Sequence, residues 1–146
     1  MSSFLIGFLE EVTPADVATI NHLLRLLHSQ VREHNVLSIT DILQRSRIIT
    51  AREKGRIVGI MVMAAHTCLT HTGAMCNNIV TSHENADLAI IQMMEFALSA
   101  RMMEHAQFVE FIFGANNPPS FAVADWLEQQ KATEDARRHF RLKSRA

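Results

Sequence analysis

The spacing of apolar positions changes several times along the chain, and each change predicts a new element. Residues 4–9 form a short apolar run that is typical of a strand. Thr13, Pro14 and Asp16 then indicate a helix start, because threonine caps, proline suits the first helical position and aspartate occupies the capping-box position. One apolar stripe follows at spacings of three and four, which predicts a helix to about residue 34: Val17, Ile20, Leu24, Leu27 and Val31.

The middle of the chain predicts a second, shorter helix followed by three strands, over residues 40–45, 46–52, 56–65 and 73–81. Gly55 supplies the positive φ angle that a tight hairpin needs between the first two of these strands. Residues 57–63 are continuously apolar, which predicts a central strand that is covered on both faces. A polar loop over residues 66–72 separates the second and third strands.

The stretch from Asn77 to Ala89 predicts the end of a buried strand, a short polar turn and the start of a long helix. The helix is predicted over residues 85 to about 105 and is apolar almost all round, so we expect it to be largely buried. The start of such a helix attracts anions, because its first amide groups are unpaired and its dipole is positive there. This turn nevertheless lacks glycine and arginine, and it carries Glu84 and Asp87.

The remaining pattern predicts a strand over residues 107–113, a loop over 114–119, a helix that Ser120 caps and that ends near 130, and a strand over 138–142. The predicted fold class is therefore α/β, with the order β-α-α-β-β-β-α-β-α-β. At 146 residues, the chain is expected to form one domain over residues 1–146.

Composition narrows the function classes. The net charge is −1, so the bulk electrostatics do not indicate binding to nucleic acid or to an anionic membrane. Cys68 and Cys76 form no CxxC motif, and we interpret both as reduced structural residues. Residues 4–9 lack the length and the basic flank of a signal peptide, and no apolar run reaches about 18 residues, so we expect a cytoplasmic protein.

Four segments of the chain resemble the GNAT acetyltransferase family, and the resemblance spans about residues 4–142. The segment EKGRIVGIMVM is similar to the family's hairpin, NNIVTSHE to its fourth strand and exit turn, FIFGANNPPSFAVADWLEQQ to its fifth strand, loop and last helix, and RRHFRL to its closing strand. The resemblance implies a GNAT-like mixed, largely antiparallel sheet flanked by helices. It also implies acetyl-CoA as the cofactor, bound where the fourth and fifth strands splay apart.

The resemblance implies a set of cofactor-binding residues. The pantetheine arm would lie along the backbone of Ile79, Val80 and Thr81, and Asn117 would reach the cofactor from the loop after the fifth strand. The family's pyrophosphate pattern, Arg/Gln-x-x-Gly-x-Gly/Ala, falls on Glu84, Asn85, Ala86, Asp87, Leu88 and Ala89.

Only Ala89 matches this pattern, because Glu84 replaces a cation or amide and Asp87 replaces a glycine. A second interpretation needs no ligand: the two carboxylates complement the positive end of the helix, and Asn85 or His83 caps it.

The resemblance also points to three residues for catalysis. Trp126 lies where many members place the tyrosine that protonates the CoA thiolate, and the chain contains no tyrosine. An indole N–H donates a hydrogen bond but is not an acid at neutral pH. Asn77, or alternatively Asn78, lies where some members have a glutamate base, and an amide can orient water or substrate there. His83 leaves the fourth strand beside the expected cofactor gap and is a candidate base.

The leading hypothesis is acetyl transfer from acetyl-CoA to an amine of a small molecule or peptide. The alternative is a GNAT fold without catalysis that serves as a binding or assembly module. A third reading, a sensor of a different small ligand in the same gap, has the least support. Because family members often dimerise, the resemblance also implies a homodimer.

Overall fold

A seven-stranded sheet and four helices form the described part of the chain in this computed structural model, which covers residues 4–67, 72–100, 108–114, 117–130, 133–134 and 139–143. The strands are β1 (Leu5–Phe8), β2 (Arg47–Glu53), β3 (Arg56–Thr67), β4 (Thr72–Thr81), β5 (Phe108–Ile112), β6 (Thr133–Glu134) and β7 (His139–Lys143). The helices are α1 (Pro14–Leu27), α2 (Val36–Leu43), α3 (Ala86–Ser99) and α4 (Phe121–Gln129).

The strands lie in the order β1-β2-β3-β4-β5-β7-β6, and only β4 and β5 are parallel neighbours. Such a mixed, largely antiparallel sheet with flanking helices confirms the predicted fold class. The sequence pattern missed the two-residue strand β6, because such a segment carries too few residues for a periodic signal.

Two hydrophobic cores cover the two faces of the sheet. One packs α1 and α2 against residues such as Ile48, Ile57 and Ile60. The other packs α3 and α4 against the opposite face, where four methionine side chains are fully buried: Met61, Met63, Met93 and Met94. The predicted central position of β3 is confirmed, because β3 lies between β2 and β4 and faces both cores.

Two helix caps and one turn glycine lie where the sequence predicted them. Thr13 caps α1 by accepting a hydrogen bond from the amide of Asp16 at 3.2 Å, and Ser120 caps α4 through the amide of Val123 at 3.2 Å. Gly55 has a φ angle of 82°, which closes the hairpin between β2 and β3. The carboxylate of Asp16 does not complete a capping box; it pairs with Arg52 at 3.0 Å and ties α1 to this hairpin.

The predicted end of α1 near residue 34 is wrong, because the helix ends at Leu27 and the backbone of His28 is extended. The side chain of Asn21 holds the returning chain by bonding both the N–H and the C=O of His34 at 2.9 Å. The second helix therefore begins earlier than predicted, at Val36, where Asn35 and Ser38 form a capping box.

The predicted polar loop over 66–72 is shorter than expected, since β3 continues to Thr67 and β4 begins at Thr72. Helix α3 ends at Ser99 rather than near 105, because Ala100 has extended backbone, and the rest of that prediction lies outside the described residues. Cys68 also lies outside the described residues. None of the helices in the described ranges is long and apolar enough to cross a membrane.

Candidate functional site

Strands β4 and β5 separate after a short parallel contact. Their last register pair is Cys76 with Phe111, and β4 continues for five residues beyond it. Asn78 has a φ angle of 50° at a register shift between β3 and β4, so β4 bulges where the gap opens. Asparagine tolerates this left-handed conformation better than most residues, which explains its place at the bulge.

A cavity of about 270 Å³ occupies this gap on the side of α1. Its lining comes from three segments: the end of α1 (Leu27, His28), the bulged part of β4 (Asn77, Ile79) and the segment after β5 (Gly114, Asn117). With Asn78 and Ile112, which also line it, the cavity combines an imidazole and three asparagine residues with an apolar wall. This composition is typical of a small-molecule site, where few polar groups orient a ligand in a mainly apolar pocket.

Asn117 bridges the gap in the structure. Its side-chain Nδ2 donates a hydrogen bond to the carbonyl oxygen of Ile79 at 3.1 Å, and its own amide donates to Gly114 at 3.0 Å. Because peptide groups alternate in direction along a strand, Ile79 and Thr81 face the gap, whereas Val80 faces its register partner Ile60 on β3. A ligand with amide groups can therefore meet β4 at two of the three residues that we predicted.

The turn between β4 and α3 is organised by His83. Its Nδ1 accepts a hydrogen bond from the amide of Asn85 at 2.9 Å, and its Nε2 lies 2.9 Å from Oε2 of Glu53. The imidazole also forms a T-shaped contact with the ring of Phe4, with centroids 4.8 Å apart. Both ring nitrogens are engaged, so His83 can serve as a base only if one of these bonds opens.

Asn85 is the N-cap residue of α3, yet its side chain makes no capping hydrogen bond. The amides of Ala86, Asp87 and Leu88 therefore begin the helix without a side-chain acceptor from Asn85. Glu84 is exposed in the same turn, and Ala89 is buried at the base of the helix. This geometry can accept an anion at the backbone, although the turn supplies no cation.

The carboxylate of Asp87 is turned toward α4. Its Oδ1 accepts a hydrogen bond from the hydroxyl of Ser120 at 2.6 Å, and Ser120 in turn caps α4. The bond joins the starts of α3 and α4, the helices that follow β4 and β5 in the chain. A glycine at this position would leave the starts of the two helices unconnected by a side chain.

The three residues predicted for catalysis lie in different surroundings. Asn77 lines the cavity in the gap, whereas His83 holds the turn before α3. Trp126 is half-buried on α4 and packs against the core that α3 and α4 form with the sheet. The contacts of the described residues do not bring these three side chains together.

Sequence reasoning missed His28 as a site residue. The helix was predicted to continue past it, which placed His28 on a helix surface rather than at a helix end beside the gap. Its Nδ1 accepts a weak hydrogen bond from the amide of Gln30 at 3.3 Å. A correct prediction of the end of α1 would have placed His28 beside the gap.

Among the described residues, the thiol of Cys76 has a clearly shifted pKa. Burial raises the pKa of the Cys76 thiol to about 12, so this cysteine is an inert core residue. Within the described ranges, no group of three or more His, Cys, Asp or Glu side chains could hold a metal ion.

Comparisons with known proteins give a fold but no close relative. No family model and no curated protein matches the chain. A GCN5-related glucosamine N-acetyltransferase region of a fungal multi-domain GH3 β-N-acetylglucosaminidase is similar to it, with a TM-score of 0.64 and 12% identity. The match covers 93% of this chain and 18% of that fungal chain.

Two further solved structures are similar over nearly their whole length. A transcriptional regulator from Bacillus halodurans has a TM-score of 0.69 and 16% identity, covering 92% of this chain and 95% of that one. A putative GNAT-family acetyltransferase from Desulfovibrio desulfuricans has a TM-score of 0.62 and 10% identity, covering 95% and 99%. At these identities the likeness establishes the architecture: the chain has the GNAT fold of the acetyltransferases that it resembles.

Proposed function

We propose that the protein is an N-acyltransferase that transfers acetyl from acetyl-CoA to an amine of a small molecule or peptide. The observation that carries this proposal is the gap between β4 and β5, where the carbonyl of Ile79 and the amide of Asn117 meet beside a cavity of about 270 Å³. Two of the similar structures are described as an N-acetyltransferase region and a putative acetyltransferase, which supports the same reaction class.

The residues around the gap fit the pantetheine arm of the cofactor. The peptide groups of Ile79 and Thr81 can extend the sheet onto an amide-bearing ligand, and Asn117 supplies a further donor and acceptor. The first amides of α3, from Asn85 to Ala89, can meet a phosphate. The carboxylates of Glu84 and Asp87 oppose a phosphate at this turn, because all three groups are negatively charged. The carboxylate of Asp87 is also hydrogen-bonded to Ser120.

Bound acetyl-CoA would supply an acetyl thioester to the cavity. His28 is then the side chain best located to take the proton that the amine loses, because it lines the cavity and imidazole exchanges protons near neutral pH. Asn77 would orient the amine or a water molecule. As the amine nitrogen bonds the acetyl carbon, the C–S bond would break and CoA would leave as a thiolate. Trp126 could donate a hydrogen bond to this thiolate but could not protonate it, so its proton would come from solvent.

The first test is isothermal titration of acetyl-CoA into the protein, with desulfo-CoA and ATP as controls. Binding at micromolar strength supports the transferase and justifies a screen of amine acceptors. No binding at millimolar acetyl-CoA contradicts it. Analytical ultracentrifugation of the same sample tests our accompanying proposal that the protein is a homodimer.

The role of His28 has its own test, since a base is required only for chemistry. His28→Ala should lower kcat by roughly 10²- to 10⁴-fold while acetyl-CoA binding is kept. Arg25→Ala is the matched control, because Arg25 is exposed near the end of α1 and does not line the gap. Equal kcat values for the two variants would remove His28 from the mechanism.

A second candidate is a GNAT fold without catalysis that acts as a binding or assembly module. The observation that favours it is that polar groups beside the gap already have partners within the chain: Asn117 bonds Ile79, and Ser120 bonds Asp87. The absence of tyrosine from the sequence points the same way. On this hypothesis acetyl-CoA does not bind, and variants of Asn117 change only stability.

A further inference from the structure

A second cavity, of about 520 Å³, lies on the α1 side of the sheet, at the end where β4 turns into α3. Thr19 and His22 of α1 form one wall, and the hairpin between β2 and β3 forms another with Lys54 and Arg56. Ser82, the first residue after β4, completes the lining. None of these residues belongs to the gap between β4 and β5.

Two cationic side chains, Lys54 and Arg56, line this cavity. Lys54 and Arg56 are both exposed, and neither forms an ion pair within the part of the chain that the structure describes. Nearby carboxylates are already engaged: Asp16 pairs with Arg52 at 3.0 Å, and Oε2 of Glu53 bonds His83 at 2.9 Å. Glu53 lines the cavity too, so two cations face one carboxylate.

The backbone that carries these cations is held in place. Lys54 and Gly55 have φ angles of 53° and 82°, which define a tight two-residue hairpin turn. The guanidinium of Arg52 stabilises this turn by donating a hydrogen bond to the carbonyl oxygen of Gly55 at 3.1 Å. It also forms an ion pair with Asp16. A ligand therefore meets Cα positions that are already fixed, and only the side chains of Lys54 and Arg56 need to be ordered.

This hairpin lies next to the turn that lacks cations. The amide of Ser82 donates to the carbonyl of Val58 at 2.9 Å, and Thr81 is the register partner of Gly59, so the start of β3 and the end of β4 are adjacent. Lys54 and Arg56 are thus on the hairpin next to the turn that carries Glu84 and Asp87.

We propose that this cavity binds a phosphate group, with Lys54 and Arg56 as the cationic ligands and the hydroxyl of Ser82 as a hydrogen-bond partner. His22 is exposed in the same wall and can donate a further hydrogen bond. The phosphate can come from the nucleotide end of a cofactor that also fills the gap, or from a free phosphate ester. The site does not require acetyl transfer.

The test compares two double variants of equal charge. Isothermal titration with inorganic pyrophosphate is made on the wild type, on Lys54→Gln/Arg56→Gln and on Arg25→Gln/Arg45→Gln, whose arginines are exposed and do not line the cavity. The first double variant should weaken pyrophosphate binding by roughly 10- to 100-fold, and the second by less than about 2-fold. Ser82→Ala should weaken binding by roughly 2- to 5-fold.

If both double variants lose the same amount of pyrophosphate affinity, the proposal is wrong, because the affinity then depends only on the net charge of the protein. Failure of pyrophosphate to bind the wild type at millimolar concentration would overturn it as well. Thermal unfolding of each variant confirms that the fold is kept.

The same variants, titrated with acetyl-CoA and with dephospho-CoA, identify the source of the phosphate. If the double substitution of Lys54 and Arg56 lowers the affinity for acetyl-CoA as much as the affinity for pyrophosphate, the cavity holds the nucleotide end of the cofactor. If it lowers only the affinity for pyrophosphate, the cavity holds a separate phosphate ester. If pyrophosphate binds and acetyl-CoA does not, the phosphate site stands and the proposed acetyl transfer fails.

Discussion

The side-chain Nδ2 of Asn117 lies 3.1 Å from the carbonyl oxygen of Ile79 and joins two segments that the parting of β4 and β5 would otherwise separate. The carbonyl of Ile79 is a group that an extending ligand would use. Asn117 therefore has a structural partner before any ligand arrives. A ligand that pairs with the Ile79 carbonyl either replaces this hydrogen bond or shares the oxygen with it, because a carbonyl oxygen has two lone pairs.

Asn117→Asp should destabilise the protein by about 1–2 kcal/mol, because a carboxylate cannot donate to the Ile79 carbonyl and leaves it without that partner. Urea unfolding measures the change. Gln30→Glu makes the same amide-to-carboxylate exchange at an exposed position and should change the free energy of unfolding by less than about 0.5 kcal/mol. An unaltered midpoint for Asn117→Asp would show that the bond is not formed in solution.

His83→Ala should lower the free energy of unfolding by about 1–3 kcal/mol, because it removes the acceptor of the Asn85 amide and the partner of Glu53. His22→Ala, at an exposed position, should change it little. Chemical denaturation separates the two. A variant His83→Ala that unfolds like the wild type but loses turnover would instead support the base role that the sequence suggested.

Gly73→Ala should destabilise the protein by about 1–3 kcal/mol through overpacking. A Cβ atom at Gly73 would lie 2.5 Å from the buried ring of Phe108, where the strands β4 and β5 are still paired. Gly7→Ala on β1 is the matched control, because its Cβ would have no neighbour within 4 Å. Similar thermal midpoints for the two variants would contradict the close packing of β4 against β5.

Cys76 should resist alkylation in the folded protein. Burial raises the pKa of its thiol from 9.0 to about 12, so the thiolate is scarce at pH 8. In a Cys68→Ser background, iodoacetamide at pH 8 should modify the denatured chain at least about 100-fold faster than the native one. Mass spectrometry gives both rates, and rapid native labelling would place Cys76 outside the core.

The same pKa shift sets the direction of a pH effect on stability. A thiol with a raised folded-state pKa contributes fully below the unfolded value of 9.0, and its contribution is lost as the pH rises toward about 12. Stability should therefore decline with increasing pH in this window. Cys76→Ala should show a shallower decline in the same range.

Local chemistry explains which parts of the fold the sequence could predict. Thr13 with Pro14, Gly55 in its turn and Ser120 before α4 act within a few residues, so their effects are visible in the sequence. The end of α1 was mispredicted because the apolar stripe continues to Val31, whereas a contact of Asn21 with the backbone of residue 34 turns the chain.

The candidate site depends on contacts that no local pattern contains. Asn117 meets Ile79 across 38 positions, and Asp87 meets Ser120 across 33. The sequence predicts for Asp87 either a conflict with phosphate or a charge that complements the positive start of α3, and neither interpretation includes its partner Ser120. The carboxylate of Asp87 has a structural role, because it accepts a hydrogen bond from Ser120, the residue that caps α4.

Asp87→Asn and Asp87→Ala should separate the charge of this residue from its hydrogen bond. The asparagine variant keeps an acceptor for the Ser120 hydroxyl and removes the negative charge, so acetyl-CoA should bind roughly 3- to 10-fold more tightly if a phosphate lies at the start of α3. The alanine variant removes both and should destabilise the protein by about 1–2 kcal/mol.

A double-mutant cycle with Ser120→Ala should give a coupling of about 0.5–1.5 kcal/mol, because the two side chains share the 2.6 Å bond. Additive effects in the cycle would show that the bond is absent in solution. An unchanged acetyl-CoA affinity for Asp87→Asn, with the coupling present, would show that this turn serves only to join α3 to α4. The cofactor's phosphates would then have to lie elsewhere, and the hairpin of Lys54 and Arg56 becomes the alternative.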